Sequence, residues 1–254
     1  MLQIRKLLAR ATEIYQKKGL SYLVRKTFGR ILSFFILSFF MYRYYKAFKS
    51  GSFTFRGRTY KYFYHMYNST WRNERGIEVP IVWDIVKKHK GKRILEVGNV
   101  LSHYFPVQHT ILDKYEKAPG VINLDIVDFW SPQKYDLIVS ISTLEHVGWD
   151  EKPREPRKIL RALENLKRCS ALGGQIVVTL PLGYNREMDK LLEEGILRFT
   201  EQYCLKRISR DNRWIEVKYD EIRHAKYNAP FPNANALIIG IIKRQDIIWR
   251  GGLY

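Results

Sequence analysis

The sequence predicts an α/β fold, a doubly wound and mostly parallel sheet carrying an N-terminal helical appendage. Two observations carry that expectation. Short apolar runs rich in Val, Ile and Leu alternate with helical or turn-forming segments between residues 93 and 180, the pattern of a parallel sheet covered on both faces. These runs end at carboxylates or tight turns, at Glu96-Val97-Gly98, Asp113, Asp125 and Asp136. A parallel sheet that holds a nucleoside presents polar groups at the carboxyl ends of its strands.

The elements follow in order. Residues 1–27 read as a basic amphipathic helix, with Ile4, Leu7, Leu8, Ala11 and Ile14 at helical spacing and Arg5, Lys6, Arg10, Lys17 and Lys18 largely on the other side. The segment Ile31 to Tyr42, ILSFFILSFFMY, is apolar on all sides except for two serines and is flanked by Arg30, Arg43 and Lys46. Twelve helical residues rise roughly 18 Å, short of the roughly 30 Å core of a bilayer, which disfavours a simple span. The appendage (1–50) therefore reads either as a helix packed on the catalytic domain or a second subunit, or as an interfacial anchor on an anionic membrane. An arm over 51–76 interleaves aromatic residues with Arg56, Arg58 and Lys61. It fills a groove, forms part of a lid, or stacks on bases or sugars.

From residue 77 to the C terminus at 254 the sheet domain begins with a helix through VPIVWDIVKKHK. Strands are expected at Arg93–Val97, His109–Leu112, Val121–Leu124, Tyr135–Ile141 and Gln175–Leu180, with a helix over Pro156–Arg168 and a Gly173-Gly174 turn. Leu205–Ser209 and Trp214–Tyr219 flank a hairpin turn, and Ala236–Ile242 is a fully apolar strand.

Charge separates the two parts. The chain carries a net +19, but residues 1–92 hold 20 Lys/Arg against 4 Asp/Glu, a net of +16, whereas 93–254 hold 24 against 21, a net of +3. A near-neutral sheet domain lacks a phosphate-tracking surface, so nucleic acid is disfavoured as a partner. Cys169 and Cys204 stand alone, outside any CxxC spacing, which points away from disulfides and zinc and towards a reducing, cytoplasmic setting, with any membrane contact on the inner face. The six scattered histidines form no HxH or HExxH pair, so no metal is expected.

ILEVG, the carboxylates Asp113 and Asp125, YDLIVSISTLEHV and the GG turn before QIVVTLPLG together resemble a class I S-adenosylmethionine-dependent methyltransferase. More narrowly the chain is similar to the small-molecule, type 11-like kind, whose fourth strand runs into Leu-Glu-His-Val. The resemblance covers about Ile77 to Lys243 and implies a seven-stranded Rossmann-like sheet and S-adenosyl-L-methionine as cofactor. It implies a cofactor loop at Glu96, Gly98 and Asn99, a ribose carboxylate at Asp113, and an adenine site at Asp125 and Ile126. Ser140 and Thr143 would lie near the sulfonium.

His146 is the candidate general base, with Glu145 beside it, and Trp149, Tyr184 and Asn185 are candidate acceptor contacts. The acceptor is expected to be a small molecule, a glycan or a lipid-linked intermediate. The loop departs from the family pattern at Val100 and Ser102, where glycines usually stand. Because a β-branched residue disfavours positive φ, the loop is expected to follow another path. A non-catalytic protein of the same fold is the alternative reading of that departure. An RNA or DNA methyltransferase would want an Asn/Asp-Pro-Pro-aromatic tetrad where Ser142-Thr143-Leu144-Glu145-His146 stands.

Overall fold

The computed structural model describes residues 36–244, so the helix expected over 1–27 lies outside the described residues. The chain divides into two compact units, at Lys49 and Ser50. In the first, residues 36–48 form a helix (α1). Among the described residues no helix is long and apolar enough to cross a membrane.

The second unit opens with a hairpin, β1 (Ser52–Phe55) and β2 (Arg58–Lys61), paired from Ser52↔Lys61 to Phe55↔Arg58. Its turn, Arg56-Gly57, takes positive φ at both residues (52° and 70°), the twist a two-residue hairpin demands. Helix α2 (Arg75–Lys88) follows, with Ile77, Val79, Ile81, Val82 and Val86 all buried.

Then come β3 (Ile94–Val97), β4 (Thr110–Leu112), β5 (Val121–Ile122), β6 (Tyr135–Ile141), α3 (Lys158–Cys169), β7 (Ser170–Pro181) and α4 (Arg186–Glu193). Strands β8 (Glu201–Arg207), β9 (Trp214–Val217) and β10 (Ala236–Lys243) complete the described residues. They make one sheet in the order β5-β4-β3-β6-β7-β10-β8-β9. Strands β3 to β7 pair in parallel, while β10 runs antiparallel to both β7 and β8. One antiparallel strand slotted beside the last parallel ones is the arrangement of the Rossmann-like methyltransferase fold. Strand β9, antiparallel to β8, makes the sheet eight-stranded rather than seven.

The core lies on both faces. Ile159, Leu163 and Leu166 of α3 and Met188 and Leu191 of α4 pack on one face. On the other, α2 joins Phe53, Phe55, Tyr62 and Trp214. Three aromatic residues of the arm, Phe53, Phe55 and Tyr62, are thus core residues of the sheet domain.

Two expected strands are shorter than the sequence suggested. Strand β4 begins one residue later, at Thr110, and β5 stops at Ile122, where it is the edge strand with β4 as its one partner. Among the described residues only a single 3-10 turn, Leu101–His103, separates β3 from β4.

Candidate active site

The order of strands reverses between β3 and β6, and a cavity of about 560 Å³ opens there at their carboxyl ends. Val97 and Gly98 follow from β3, Leu112 and Asp113 from β4, and Thr143, His146 and Val147 from the turn after β6. This is the crevice in which open α/β sheets bind ligands.

The loop after β3 is held from beneath by Glu96. Its side chain is fully buried; Oε1 accepts from the amides of Val100 (2.9 Å) and Leu101 (2.7 Å), and Oε2 lies 2.6 Å from His109 Nε2. Glu96, expected in the cofactor loop, shapes that loop from beneath and does not line the cavity.

Gly98 is at φ +88°, and a Cβ there would lie 2.1 Å from Thr143 Oγ1. The following residues need no glycine. Val100 sits at φ −109°, ψ −50°, where a β-branched residue is comfortable, and Ser102 Oγ donates to Asn99 Oδ1 within the 3-10 turn. The loop tightens into that turn with neither Val100 nor Ser102 at positive φ, so neither position requires glycine.

Asp113 accepts three backbone hydrogen bonds: from Tyr115 and Glu116 on Oδ1 (both 2.8 Å) and from Asn99 on Oδ2 (3.0 Å). A carboxylate offers about four lone-pair sites, so one remains. Asp113 therefore has room for one hydroxyl hydrogen where two were expected. Glu116 stands beside it on the cavity wall, with Asn99 Nδ2 on Oε1 (2.7 Å) and His103 Nε2 3.0 Å away. Its signal was present in Asp113-Lys114-Tyr115-Glu116, where an acid accepts from the amide three residues on. Asn99 itself does not line the cavity; its side chain braces Glu116.

Asp125 and Ile126 both line the cavity. Asp125 Oδ2 meets Lys114 Nζ (2.8 Å) and Lys158 Nζ (2.5 Å), and Glu151 closes the network by pairing with both lysines. Burial opposes ionisation of Asp125, but hydrogen bonds from the two lysines prevail and hold its carboxyl below the usual range. Oδ1 accepts only the Val127 amide, which leaves one lone pair facing the site.

Beyond β6, Ser142 takes φ +38° and starts a tight turn through Leu144–His146. Thr143 faces Gly98 and donates to Ile141 O (3.0 Å). His146 Nδ1 lies 2.6 Å from Asp150 Oδ2, and the Tyr184 hydroxyl donates to the same oxygen (2.7 Å). Burial opposes ionisation of Asp150, but these hydrogen bonds prevail and lower its pKa, so the anion fixes the His146 proton on Nδ1 and leaves Nε2 as an acceptor. Tyr184 packs edge-on against His146 at 4.8 Å.

Besides Glu96 and Asn99, five expected contacts fall outside the cavity lining. Ser140 is 1% exposed inside β6, two residues short of the turn, with no partner for its hydroxyl among the described residues. Asn185 is buried as the cap of α4, accepting from the Glu187 and Met188 amides and donating to Glu145 O (2.8 Å). Trp149 lies under the Arg154 guanidinium (4.3 Å). Glu145 is 1% exposed. Tyr184 also lies outside the lining and meets it through Asp150 and the His146 ring.

Five carboxylates line the cavity, Asp113, Glu116, Asp125, Asp150 and Glu151, against Lys114 and His146. In a chain of net +19 this is a local reversal of sign. Among the described residues no group of His, Cys, Asp or Glu is arranged to hold a metal ion.

Neither a family model nor a curated protein sequence matches the chain. Solved structures do. N-methyltransferase NodS from Bradyrhizobium japonicum WM9 is 15% identical over 68% of this chain and 97% of that one, with a TM-score of 0.43. TehB from Haemophilus influenzae is 13% identical over 67% and 63%, with a TM-score of 0.38. An rRNA methylase from Streptococcus thermophilus is 10% identical over 66% and 97%, with a TM-score of 0.38.

Proposed function

We propose that the chain transfers a methyl group from S-adenosylmethionine to a small-molecule, glycan or lipid-linked acceptor. The observation that carries this reading is the acidic cavity at the sheet's switch point. Nucleotide cofactors bring phosphates, which five carboxylates would repel; S-adenosylmethionine has none and carries a sulfonium and an ammonium.

The residues fit that group. Asp113 and Glu116 would share the ribose hydroxyls, and Asp125 Oδ1 would accept from the adenine amine beside Ile126. Gly98 would let backbone come close where any side chain would fill the cradle. When bound, the cofactor supplies an activated methyl on sulfur. The protein supplies position, which accounts for much of the rate in a displacement of this kind, and a base at His146 Nε2 for an acceptor that must lose a proton.

Isothermal titration of S-adenosylmethionine into the full-length protein is expected to give saturable heat. Asp113→Ala should weaken binding roughly ten- to hundredfold, the worth of a hydrogen bond to a charged group. No heat in the parent protein, or unchanged affinity in the variant, rejects the reading and favours a non-catalytic protein of this fold.

We also infer that the N-terminal unit rests on an anionic membrane surface. The observation favouring this is α1, which exposes Leu37, Phe40 and Phe48 among Arg43, Lys46 and Lys49. Aromatic side chains would enter the headgroup boundary while the cations meet anionic lipid. Full-length protein is expected to co-sediment with phosphatidylserine vesicles and to be released by salt, and protein lacking residues 1–50 to stay in solution. Equal partitioning of the two proteins rejects it.

A further inference from the structure

Lys158 opens helix α3 with its side chain 8% exposed, and it does not line the cavity. Local preference argues against a lysine there twice. A buried ammonium is costly, and the first turn of a helix is its positive end, where a cation is disfavoured. Its ammonium is nevertheless fixed between two carboxylates of the cavity wall, 2.5 Å from Asp125 Oδ2 and 2.6 Å from Glu151 Oε2. Asp125 follows β5, and Glu151 belongs to the loop between β6 and α3, so one buried side chain joins two separate parts of the wall. The backbone closes around its stem. Gly148 takes φ +73°, and a Cβ there would lie 2.7 Å from Lys158 Cβ. Lys158 N donates to Glu155 O (2.9 Å), and Glu155 N donates to Gly148 O (2.8 Å).

Stability alone does not account for such a network. Exchanging a buried ion pair for apolar side chains of like volume is often neutral or stabilising. What the network does set is the presentation of Asp125. Lys114 Nζ meets the same Oδ2 at 2.8 Å and pairs with Glu151 Oε1 at 3.0 Å. Both cations therefore occupy one oxygen, and Oδ1 is left with the Val127 amide at 3.1 Å and one lone pair for a ligand. The two lysines are not equivalent. Lys114 is 35% exposed, and an ion pair open to water holds its geometry weakly; Lys158 is enclosed, so its charge has a fixed direction. Without it, Asp125 and Glu151 share only the exposed cation, and the Asp125 carboxylate is free to turn. A carboxylate held as Asp125 is acts as an acceptor only. It favours a ligand nitrogen that carries hydrogen and gives nothing to a ligand that lacks one at that place.

We propose that Lys158 is the positioning residue for base recognition. By holding Asp125 Oδ2 it aims Oδ1 at the exocyclic amine of the cofactor's adenine, and it makes that amine the feature by which the site selects its nucleoside. The proposal rests on the methyl-transfer reading and names the residue that sets its cofactor specificity. Lys158 itself touches neither cofactor nor acceptor and acts through Asp125.

The test is calorimetric, with full-length protein and two probes: S-adenosylhomocysteine and its analogue with purine in place of adenine, in which hydrogen replaces the amine. The parent is expected to bind S-adenosylhomocysteine roughly tenfold or more tightly, the worth of a hydrogen bond to a charged acceptor. Lys158→Met keeps the apolar stem and removes the cation. It is expected to cut that preference to about threefold or less, while the affinity for the purine analogue stays close to the parent's. A purely structural role would weaken both probes alike and leave their ratio unchanged. Should K158M fail to fold, Lys158→Gln, which retains a donor without the charge, is expected to narrow the ratio in the same direction. An unchanged ratio in the folded variant, a loss shared equally by both probes, or a parent that binds the two alike overturns the proposal. A parent that binds neither probe is a different result, and it rejects the methyl-transfer reading beneath.

Discussion

Replacing Glu78 with alanine is expected to lower the melting temperature by roughly 10 °C. Glu78 is fully buried on α2 and ties that helix to the ends of two central strands. Oε1 accepts from the Thr179 hydroxyl of β7 (2.6 Å) and from the Ser142 hydroxyl beyond β6, and Oε2 holds the Arg75 guanidinium at 2.8 Å. Arg75 in turn donates to Ile141 O (3.1 Å). Removing the carboxylate leaves a largely buried cation short of its nearest partner and two buried hydroxyls without an acceptor. Breaking a buried pair in this way costs about 3–5 kcal/mol. The damage should reach the site as well. Ser142 is held at φ +38°, a strained value for a non-glycine residue, by Thr179 and Glu78 together. Losing one anchor frees the turn that carries Thr143 and His146. Glu78→Gln keeps an acceptor and should melt between the two. Thermal melts of the three proteins check this, and an alanine variant within 1–2 °C of the parent, inside the shift of a single kcal/mol, contradicts it.

The parts of this fold that were legible in the sequence are those fixed by burial on both faces. Tyr135–Ile141 was read at its true bounds because a strand enclosed by parallel neighbours must be apolar throughout. The β1–β2 hairpin was not read: its strands are four residues long, and an Arg-Gly turn announces positive φ far less clearly than Asn-Gly. The carboxylates show the same division. Asp113 and Asp125 stood out because each ends an apolar run, and both line the cavity. Glu116 ends no apolar run, and its place on the cavity wall follows from the Asp113 carboxylate accepting its amide three residues on. Glu78 was beyond reach. A carboxylate on a mostly apolar helix is compatible with a solvated stripe, and only the tertiary structure sets it against Thr179, 101 positions away. Glu145 stands out for its place beside His146, but its burial and unpartnered oxygen are set by the tertiary structure.

Gly98 and Val100 separate conformation from sequence pattern most sharply. Gly98→Ala is expected to abolish measurable S-adenosylmethionine binding and to destabilise the protein by about 2–5 kcal/mol, combining strain at φ +88° with a forced contact. The added Cβ would lie 2.1 Å from Thr143 Oγ1 and 2.9 Å from both Thr143 Cβ and Cγ2. Three atoms of one β-branched side chain block it, so no rotation of Thr143 clears the space. The loop itself must retreat, and its amides are the ones bonded to Glu96 and Asp113. A shift of about 1 Å in such a loop is enough to cost roughly a hundredfold in function. Val100→Gly restores the residue type the family pattern would place there, yet it should leave binding near that of the parent, because Val100 already sits at φ −109° without strain. It should cost up to about 1 kcal/mol of stability through the added freedom of the unfolded chain. Calorimetric titration and melting of both variants decide the matter. If G98A binds like the parent, or V100G binds much more tightly, the loop is limited by its missing glycines and not held by its single one.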